Sequence, residues 1–408
     1  MTLPLFFASL VVYILAARCA IQFLAGGVRE IVFALLNLAG FYWFLLYCQN
    51  DHFRLAFLIY LAVVLWQYAM LWLFSQRAGW QPWLAFFSPI LVLVIARYAP
   101  LYLPLKWEAA VKAHWEYPLA AYFAGLSYLA FRSSHLVLEI RNGAAKKPSL
   151  WQYLGFCFFV PTMTVGPINA YSNYRRAFTP EPSAIPFARA AMRIIVGLVK
   201  YHFLASLCNR LTYEGLFFDD HPHHLIDLPV AMIFYYLFLY CNFSGFCDMA
   251  IGAAGLIGIP VSENFNNPFA ARNVKDFWNR WHITLSVWMR DVVFSPLSKF
   301  LVGKFGLPLA NHAIALTITL VFLLVGIWHG VGWNFVAFGA AHALGVVVNH
   351  YYTIFLKKRL GRDGFKAYNE NRWIHATAVV LTFSYVAASL LLFANTFPEM
   401  KQIFLSLR

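Results

Sequence analysis

The residues best suited to chemistry are two histidines at the edges of apolar sequence. His329 follows an almost unbroken apolar run and stands between Trp328 and Gly330. His282 follows Trp281 in a segment that mixes aromatic and charged residues. Ionisable groups within membrane-grade hydrophobic segments are rare and usually face a cavity or a partner. Because imidazole has a pKa of about 6.5, it suits a general base near neutral pH. The alternative is a histidine that only forms hydrogen bonds between packed helices.

The sequence around His282 predicts one amphipathic helix over residues 273–291. Asn273 can cap its first turn, with Asp276 at the third helical position. Asp276 and Arg280 stand four residues apart and form a charged face. Because this helix is too charged for a span, we expect it to lie at the membrane interface or to dip into the protein. Its second face is aromatic and apolar and consists of Trp278, Trp281, His282, Leu285 and Met289.

Two further stretches place unusual residues at membrane depth. Asp248 lies in the small and apolar block 243–252, where a carboxylate needs a partner. Pro161 and Pro167 interrupt the apolar run 151–170, which predicts a broken helix. Broken helix is tolerated within a membrane where it is buried in protein or lines a cavity. We therefore expect this segment to face a polar interior.

The composition is that of a polytopic membrane protein. Of its 408 residues 61% are hydrophobic and 12% are charged, whereas soluble domains average about a quarter charged. The net charge of +14 comes mostly from short connections such as 141–147 and 357–362, which we place on the cytoplasmic side. These residues form no basic surface interleaved with aromatic ones, so we expect no nucleic-acid partner. Arg132, in the apolar run 117–140, is interpreted as a snorkelling arginine.

Neither a metal site nor a disulfide framework is indicated. The loop 211–224 ends in two aspartates and three histidines, but the cluster contains a proline and lacks helical HxxxH spacing. We interpret that loop as solvated. The six cysteines lie in or beside apolar runs and form no CxxC pair. His342, flanked by small residues, is interpreted as a packing residue between close helices.

Hydrophobic segments recur along the whole chain and predict an all-α, polytopic integral membrane protein. We expect roughly eleven transmembrane helices plus re-entrant or interfacial ones, among them 107–115, in a single domain over 1–408. A charged connection, 357–372, should precede the last span. The predicted spans are 5–23, 31–48, 57–74, 83–97, 117–140, 151–170, 185–210, 228–240, 309–328, 332–348 and 376–393.

Several blocks in a fixed order resemble the membrane-bound O-acyltransferase family. The match runs over residues 125–352, more than half of the chain. Phe246 and Cys247 depart from the family's usual tyrosine and serine, which bears on the branch more than on the reaction. The blocks are Phe243–Gly252, Asn264–Phe269, Asp276–His282 and Trp328–Gly330, joined by Pro161–Pro167 and Tyr174–Phe178.

This resemblance implies an acyltransferase built around a central tunnel through the membrane. It implies His329 as the catalytic histidine and general base, and His282 as the second polar residue of the active site. The acceptor hydroxyl would attack a thioester carbonyl directly, without a covalent enzyme intermediate. The residues expected to line the tunnel or contact substrate are Trp278, Trp281, Trp328, Asn279, Arg280, Asp248 and Ser244.

Within the family, Gly125–Arg132 followed by Glu139–Gly143 most resembles the branch that transfers D-alanyl groups. That branch implies no cofactor bound in the protein, but a phosphopantetheine thioester on a partner carrier protein at the cytoplasmic face. The acceptor would be a cell-envelope polymer such as teichoic acid or lipopolysaccharide. Lys275 and Arg290 are the expected docking residues for an acidic carrier. The chain would be multi-pass in the bacterial cytoplasmic membrane, among lipid and small membrane or extracytoplasmic partner subunits.

Three alternatives remain open. The first is an O-acetyltransferase of an exopolysaccharide, a branch that shares the later blocks but usually carries extra C-terminal sequence. The second is a transporter, whose broken helices and buried charges would look alike, although the two halves of this chain show no repeat. The third is a structural scaffold in an envelope complex, with His329 only hydrogen-bonded.

Overall fold

Helices account for the regular structure in a computed structural model that describes residues 3–48, 53–102, 125–179, 185–218 and 223–407. Those ranges hold two isolated backbone bridges but no β-strand. The chain divides into two units. The first comprises Met1–Val196 and Cys247–Ser262, and the second comprises Gly197–Phe246 and Glu263–Arg408. The all-α prediction is confirmed, while the segment predicted to be interfacial, 107–115, lies outside the described residues.

The first unit begins with four long helices joined by short connections. Consecutive members pack against one another, α1 on α2, α2 on α3 and α3 on α4. This is the antiparallel arrangement that short connections impose. The helices that begin in this unit are α1 Leu3–Phe23, α2 Gly26–Cys48, α3 Phe53–Phe74, α4 Pro82–Tyr102, α5 Leu126–Arg141, α6 Leu150–Cys157, α7 Tyr171–Arg175 and α8 Phe187–Leu198.

The second unit carries most of the family-like blocks. A π-helical turn, Val199–Leu204, continues α8 into the first helix of this unit. The helices that begin here are α9 Ala205–Asn209, α10 Tyr213–Leu216, α11 Asp227–Ile257, α12 Val274–Trp278, α13 Ile283–Met289, α14 Ser295–Phe305, α15 Ala310–His329, α16 Trp333–Glu370, α17 Arg372–Ala394 and α18 Phe397–Ser406.

Six helical stretches in the described residues are long and apolar enough to cross a membrane. The polytopic prediction is confirmed by them, whereas the count of roughly eleven spans is not confirmed. Two shorter apolar stretches, Ala8–Phe23 and Pro82–Ala96, lie in α1 and α4. The six long stretches are Gly26–Leu46, Phe53–Phe74, Phe187–Asn209, Asp227–Ile257, Leu307–His329 and Arg372–Ala394.

The charged connection predicted over 357–372 precedes α17 and is helical over most of its length, since α16 extends to Glu370. Two helical segments meet at a kink at Gly361, whose φ of 66° and ψ of −170° are not helical. Lysine and arginine are good helix formers, which suits a helical connection. The basic residues therefore lie mostly on helix.

The broken helix predicted at Pro161–Pro167 is confirmed in the first unit, since α6 is followed only by a single 3₁₀ turn, Val160–Thr162. The snorkelling interpretation of Arg132 is wrong. Its side chain is buried, and the guanidinium donates to the carbonyl oxygens of Thr162 and Phe156 and to the hydroxyl of Thr162. Carbonyls released by broken helix need donors in a membrane. Arg132 supplies them.

Close packing of α15 on α16 sets the position of the histidine at the end of α15. A Cβ at Gly326 would meet the carbonyl oxygen of Phe335, and one at Gly339 would meet the carbonyl oxygen of Phe322. Small residues at such crossings let helix backbones approach closely. The two glycines thus bring the C-terminal end of α15 against the first turns of α16.

Candidate active site

His329 is the last residue of α15, and Gly330 continues the chain as extended backbone. A Cβ at Gly330 would overlap the ring of Phe335, so the turn needs a glycine for its close packing. The imidazole of His329 is half-buried. The rings of Phe393 and Phe338 stand nearly perpendicular to it, with centroids 5.0 and 5.9 Å away. An imidazole at the end of an apolar helix is what the sequence predicted; its catalytic role stays a prediction.

The single helix predicted over 273–291 is wrong. The α12 helix ends at Trp278 and α13 begins at Ile283, with His282 between them at a left-handed φ of 46°. The predicted cap is present, since Asn273 Oδ1 accepts from the amide of Asp276 at 2.8 Å. A left-handed backbone at a residue other than glycine costs about 1 kcal/mol and is held only by its surroundings.

Asn264 is the main cause of the break at His282. Its Oδ1 accepts from the amide and the hydroxyl of Thr284, at 3.1 and 2.7 Å. Its backbone carbonyl accepts from the amide of Ile283 at 3.0 Å. These bonds take the amides that a continuous helix would have satisfied internally. Periodicity could not reveal the break, because the competing partner lies outside the helical segment.

His282 is buried in an aromatic setting. Its ring lies 4.8 Å from that of Phe243 and 6.2 Å from that of Trp328, measured between centroids. Trp328 also lies 4.6 Å from His329 between centroids, so both imidazoles pack near the same indole. Burial, and after it the charge of the nearby His329, lowers the pKa of His282 to about 3. His282 is therefore neutral near pH 7, and its Nδ1 has no hydrogen-bond partner among the described residues.

Trp278 is fixed by a chain of hydrogen bonds. Its indole nitrogen donates to Nδ1 of His342 at 3.2 Å, and Nε2 of His342 lies 3.0 Å from the hydroxyl of Ser389. That hydroxyl donates in turn to the carbonyl of Val386 at 2.8 Å. The imidazole consequently carries its proton on Nε2 and donates it to Ser389. His342 lies between helices, as predicted, and is also bonded at both ring nitrogens.

The other predicted site residues fall into different environments. Trp281 packs within an aromatic cluster, 5.0 Å from Phe265 and 5.5 Å from Phe277 between centroids. Arg280 forms an ion pair with Asp276 at 2.9 Å, as its spacing predicted. Ser244 is buried, and its hydroxyl has no hydrogen-bond partner among the described residues.

Asp248 is the one predicted site residue that belongs to the first unit rather than to the unit of the histidines. Its carboxylate pairs with Arg193 of α8 at 3.0 Å. The expectation that a carboxylate at this depth needs a partner is confirmed. The ion pair gives Asp248 a structural reason to be present, independent of any contact with substrate.

A cavity of about 580 Å³ runs through the second unit alongside α15. Its lining includes the buried side chains of Trp278, Leu285 and Val325 and the exposed side chains of three basic residues. Asn279 also lines it, while its predicted place in a substrate tunnel stays a prediction. The basic residues are Lys275, Arg290 and Lys357.

Two unpartnered polar atoms line the same cavity. They are Oγ of Ser286 and Nε2 of His350, and neither has a hydrogen-bond partner in the described part of the chain. Buried polar groups are normally paired, so unpaired ones mark a place for a ligand or water. The cavity therefore combines a basic entrance, an apolar wall and open hydrogen-bonding positions.

The sequence did not point to Ser286, His350, Lys357 or Ser389 as site residues. One signal was present for His350, which stands eight residues after His342 on the same face of α16. Lys357 was missed because it was assigned to a connection. The two serines carry no pattern of their own, so only the fold assigns them.

Of the loop of histidines and aspartates, the structure describes His223 and His224, and only His224 is exposed as predicted. His223 is buried against the ring of Phe217, and its amide donates to the carbonyl of Ser406 at 3.1 Å. This contact ties the loop to the end of α18. Among the described residues no three His, Cys, Asp or Glu side chains are grouped as metal ligands.

Comparison with known proteins gives a consistent result. A sequence profile of the membrane-bound O-acyltransferase family matches residues 104–386. The teichoic acid D-alanyltransferase of Bacillus subtilis is 30% identical over 309 residues, which cover 74% of this chain and 76% of that protein. The teichoic acid D-alanyltransferase of Streptococcus thermophilus is 31% identical over 284 residues, 67% of this chain and 68% of that protein. A probable alginate O-acetylase of Azotobacter vinelandii is 29% identical over 220 residues, 53% of this chain and 42% of that protein.

Proposed function

The chain belongs to the membrane-bound O-acyltransferase family, and from that premise we propose that it transfers a D-alanyl group from a carrier-protein thioester to a hydroxyl of a cell-envelope polymer. Membrane acyl transfer is the family's activity. The choice of D-alanyl rests on the teichoic acid D-alanyltransferases, which match about three quarters of the chain at best, against about half for the alginate O-acetylase. The observation that supports the route is the basic cavity beside α15.

The cavity has the dimensions and polarity for a narrow, amide-bearing acyl donor. Its wall on α15 extends from Ile314 to Val325, a rise of about 16 Å along the helix. Val325 precedes His329 by four residues, a further rise of about 6 Å. A phosphopantetheine arm that entered at the basic end would bring its thioester near Trp278, with Ser286 and His350 available to its amides.

The basic entrance fits an acidic carrier protein. Lys275 and Lys357 are exposed at the cavity's open end. Arg290 is exposed there as well, although it forms an ion pair with Asp291 at 2.9 Å, which offsets part of its charge. Lys357 begins the basic stretch that we assign to the cytoplasmic side, where the donor would be loaded. Opposite charges of this kind speed encounter and orient the partners.

In this proposal His329 and His282 have different roles, one as a general base and the other as a hydrogen-bond donor. His329 accepts the proton of the acceptor hydroxyl as its oxygen attacks the thioester carbonyl carbon. The C–S bond then breaks, the ester forms, and the imidazolium returns the proton to the departing thiolate. His282 is neutral because of its lowered pKa, so it cannot add a second positive charge. It can instead donate a hydrogen bond to the negative oxygen that forms in the transition state.

Aromatic rings keep water from the activated donor. The buried indole of Trp278 lines the cavity, and Trp328 packs near both imidazoles. Exclusion of water limits hydrolysis of a thioester that waits for its acceptor. Trp281 contributes indirectly, because it packs against Phe277 in the aromatic cluster that supports α12.

The decisive experiment is reconstitution in lipid vesicles with carrier protein that bears labelled D-alanine and with teichoic acid as acceptor. We expect the wild type to label the acceptor, and His329→Ala to lower the rate by about a hundredfold or more. His312→Ala is the matched control, since His312 lies in the same helix and bonds Tyr351 at 2.7 Å, away from Phe393 and Phe338. Equal rates for the wild type and His329→Ala would disprove the catalytic assignment.

An acetyl donor is the second candidate, because the alginate O-acetylase shares 29% identity over about half of this chain. The same vesicles test it with a labelled acetyl donor and a polysaccharide acceptor. Use of acetyl and not D-alanyl, again dependent on His329, would retain the acyltransfer mechanism and replace the substrate.

A further inference from the structure

A second groove, of about 770 Å³, opens on the second unit between α16 and α17. Along α16 it is lined at helical spacing by Leu344, Val348 and Tyr352. Along α17 its lining runs from Trp373 to Tyr385, a rise of about 18 Å. The groove is therefore long and narrow, and it follows a helix that is apolar enough to cross a membrane.

One half of the groove is apolar and faces outward. Leu344, Val348 and Leu381 are 61, 57 and 65% exposed. Half-buried Ala378 leaves room between them, because its side chain is a single methyl group. Exposed apolar side chains beside a spanning helix are solvated by acyl chains rather than by water. This half fits one hydrocarbon chain.

The other end of the groove is polar and carries an arginine. Nε of Arg272 donates to Nε2 of His375 at 3.1 Å, and Nη1 donates to the carbonyl of Asn369 at 3.5 Å. The hydroxyls of Tyr352 and Tyr368 lie 3.1 Å apart at this end. His375 and Asn369 act as acceptors that hold the guanidinium in place, and the two tyrosine hydroxyls add hydrogen-bond donors beside it.

No carboxylate among the described residues pairs with the Arg272 guanidinium. The carboxylate of Asp276 is already engaged, since it accepts from the backbone amide of Arg272 at 3.0 Å and from Nε of Arg280 at 2.9 Å. His375 accepts the Arg272 hydrogen bond and, as an imidazole, brings no negative charge to offset the guanidinium. An uncompensated guanidinium suits a phosphate, which it can bind through two nitrogens.

The surroundings place this end at a membrane surface. The helical stretch 357–372 holds six basic residues and two acidic ones. Trp373 is 83% exposed beside it, as is typical of the headgroup level. Basic residues in such positions attract anionic lipids of the cytoplasmic leaflet.

We propose that the groove is a binding site for one anionic phospholipid. The phosphate binds Arg272 and the Tyr352–Tyr368 hydroxyls, and one acyl chain lies along Leu344, Val348 and Leu381. The charge complementarity at one end and the apolar channel at the other select this ligand over a zwitterionic lipid, whose headgroup carries no net charge to offset the arginine.

The lipid would also brace the donor cavity. Asn349 and Thr353 line both the groove and the cavity. Val274, at the start of α12, lines the groove and packs so closely on Gly345 that a Cβ there would lie 2.7 Å from it. A lipid in the groove would thus contact the start of α12, the helix that also carries Trp278.

Native mass spectrometry of the full chain released from nanodiscs of mixed phosphatidylglycerol and phosphatidylcholine tests the proposal. We expect one phosphatidylglycerol to remain bound to the wild type, and its retention to fall about fivefold in Arg272→Gln. The groove-filling variant Ala378→Trp should lose it to a similar extent. The matched control is Arg372→Gln, an exposed arginine of the same basic stretch that does not line the groove.

Each outcome is decisive. Retention in Arg272→Gln equal to that of the wild type would overturn the phosphate site, and unchanged retention in Ala378→Trp would overturn the acyl channel. An equal loss of lipid in Arg372→Gln would show that general surface charge causes the retention, and it would also overturn a specific phosphate site at Arg272. A photoreactive acyl chain on phosphatidylglycerol supplies a second measurement, with adducts expected on peptides of α16 and α17. These readouts measure binding, so they hold whether or not the D-alanyl proposal is correct.

Discussion

Trp278 and His342 are joined by a hydrogen bond from the indole nitrogen to Nδ1 of the imidazole, 3.2 Å long, and both side chains are buried. The bond connects α12 with α16, and Ser389 extends the connection to α17 at 3.0 Å. Three helices are thereby connected through hydrogen bonds to one indole that lines the cavity. A shift in this network would move the wall against which the donor rests.

Loss of the acceptor at His342 should therefore impair acyl transfer more than donor binding. In His342→Leu the indole N–H of Trp278 stays buried without a partner, which costs about 1–3 kcal/mol. We expect kcat to fall about tenfold with little change in KM for the loaded carrier, because positioning at the reacting carbon is what suffers. Steady-state kinetics in vesicles measures both constants.

His342→Asn is the matched control, because its Oδ1 can take the place of Nδ1 as an acceptor. We expect this variant to recover most of the lost kcat. If His342→Asn and His342→Leu were equally impaired, simple loss of ring packing would explain the effect and the hydrogen bond would carry no special role.

Stability should depend on pH through His282. Its pKa is lowered to about 3 in the folded protein and is about 6.5 in an unfolded chain. Below pH 6.5 the unfolded chain binds a proton that the folded protein refuses, so unfolding is favoured as pH falls toward 3. Between pH 7 and pH 5 this loss amounts to about 2 kcal/mol.

His282→Gln removes that titration. Thermal unfolding of both proteins in detergent at pH 7 and pH 5 should show a smaller drop in Tm for the variant than for the wild type. Other groups titrate in both proteins and cancel in the difference. Parallel curves would mean that His282 is not buried in neutral form.

Charge at the cavity entrance should govern carrier recognition. Lys357 lines the cavity, whereas its neighbour Lys358 does not, although both are exposed. We expect Lys357→Glu to raise KM for an acidic carrier about fivefold or more, with kcat nearly unchanged, and Lys358→Glu to do less. The difference should shrink at high salt, because exposed charges are screened. If the two variants had equal effects, the positive charge of the whole basic stretch would attract the carrier, and the position of Lys357 at the cavity would not matter.

Much of the fold could be predicted because membrane helices are recognisable from their long apolar runs. The span predicted over 309–328 ends within one residue of α15, and the broken segment after α6 was anticipated from its prolines. Local signals also held where their partners are close in sequence, as with the Asn273 cap and the Asp276–Arg280 pair. In these cases the physical cause lies within one or two helical turns.

The wrong predictions concern residues whose partners are distant in sequence. The break at His282 is caused by Asn264, and the burial of Arg132 by carbonyls 24 and 30 residues further along the chain. Long-range partners of this kind leave no trace in periodicity. For the site, residue type alone does not identify neighbours. Trp281 was predicted to line a tunnel, and the rings that it contacts in the structure belong to an aromatic cluster.

Glycine at the α15–α16 crossing should be required for stability. In Gly326→Ala the new methyl group would meet the carbonyl of Phe335, forcing the two helices apart. Overpacking of this kind costs about 1–3 kcal/mol, so we expect a lower Tm and, because His329 ends α15, a lower rate of acyl transfer. Gly303→Ala is the matched control: Gly303 lies in α14 with no atom within 4 Å of an added Cβ, and alanine is the better helix former there. That control should leave Tm equal or slightly raised; a Gly326→Ala protein as stable and active as Gly303→Ala would show that α15 and α16 do not need this close approach.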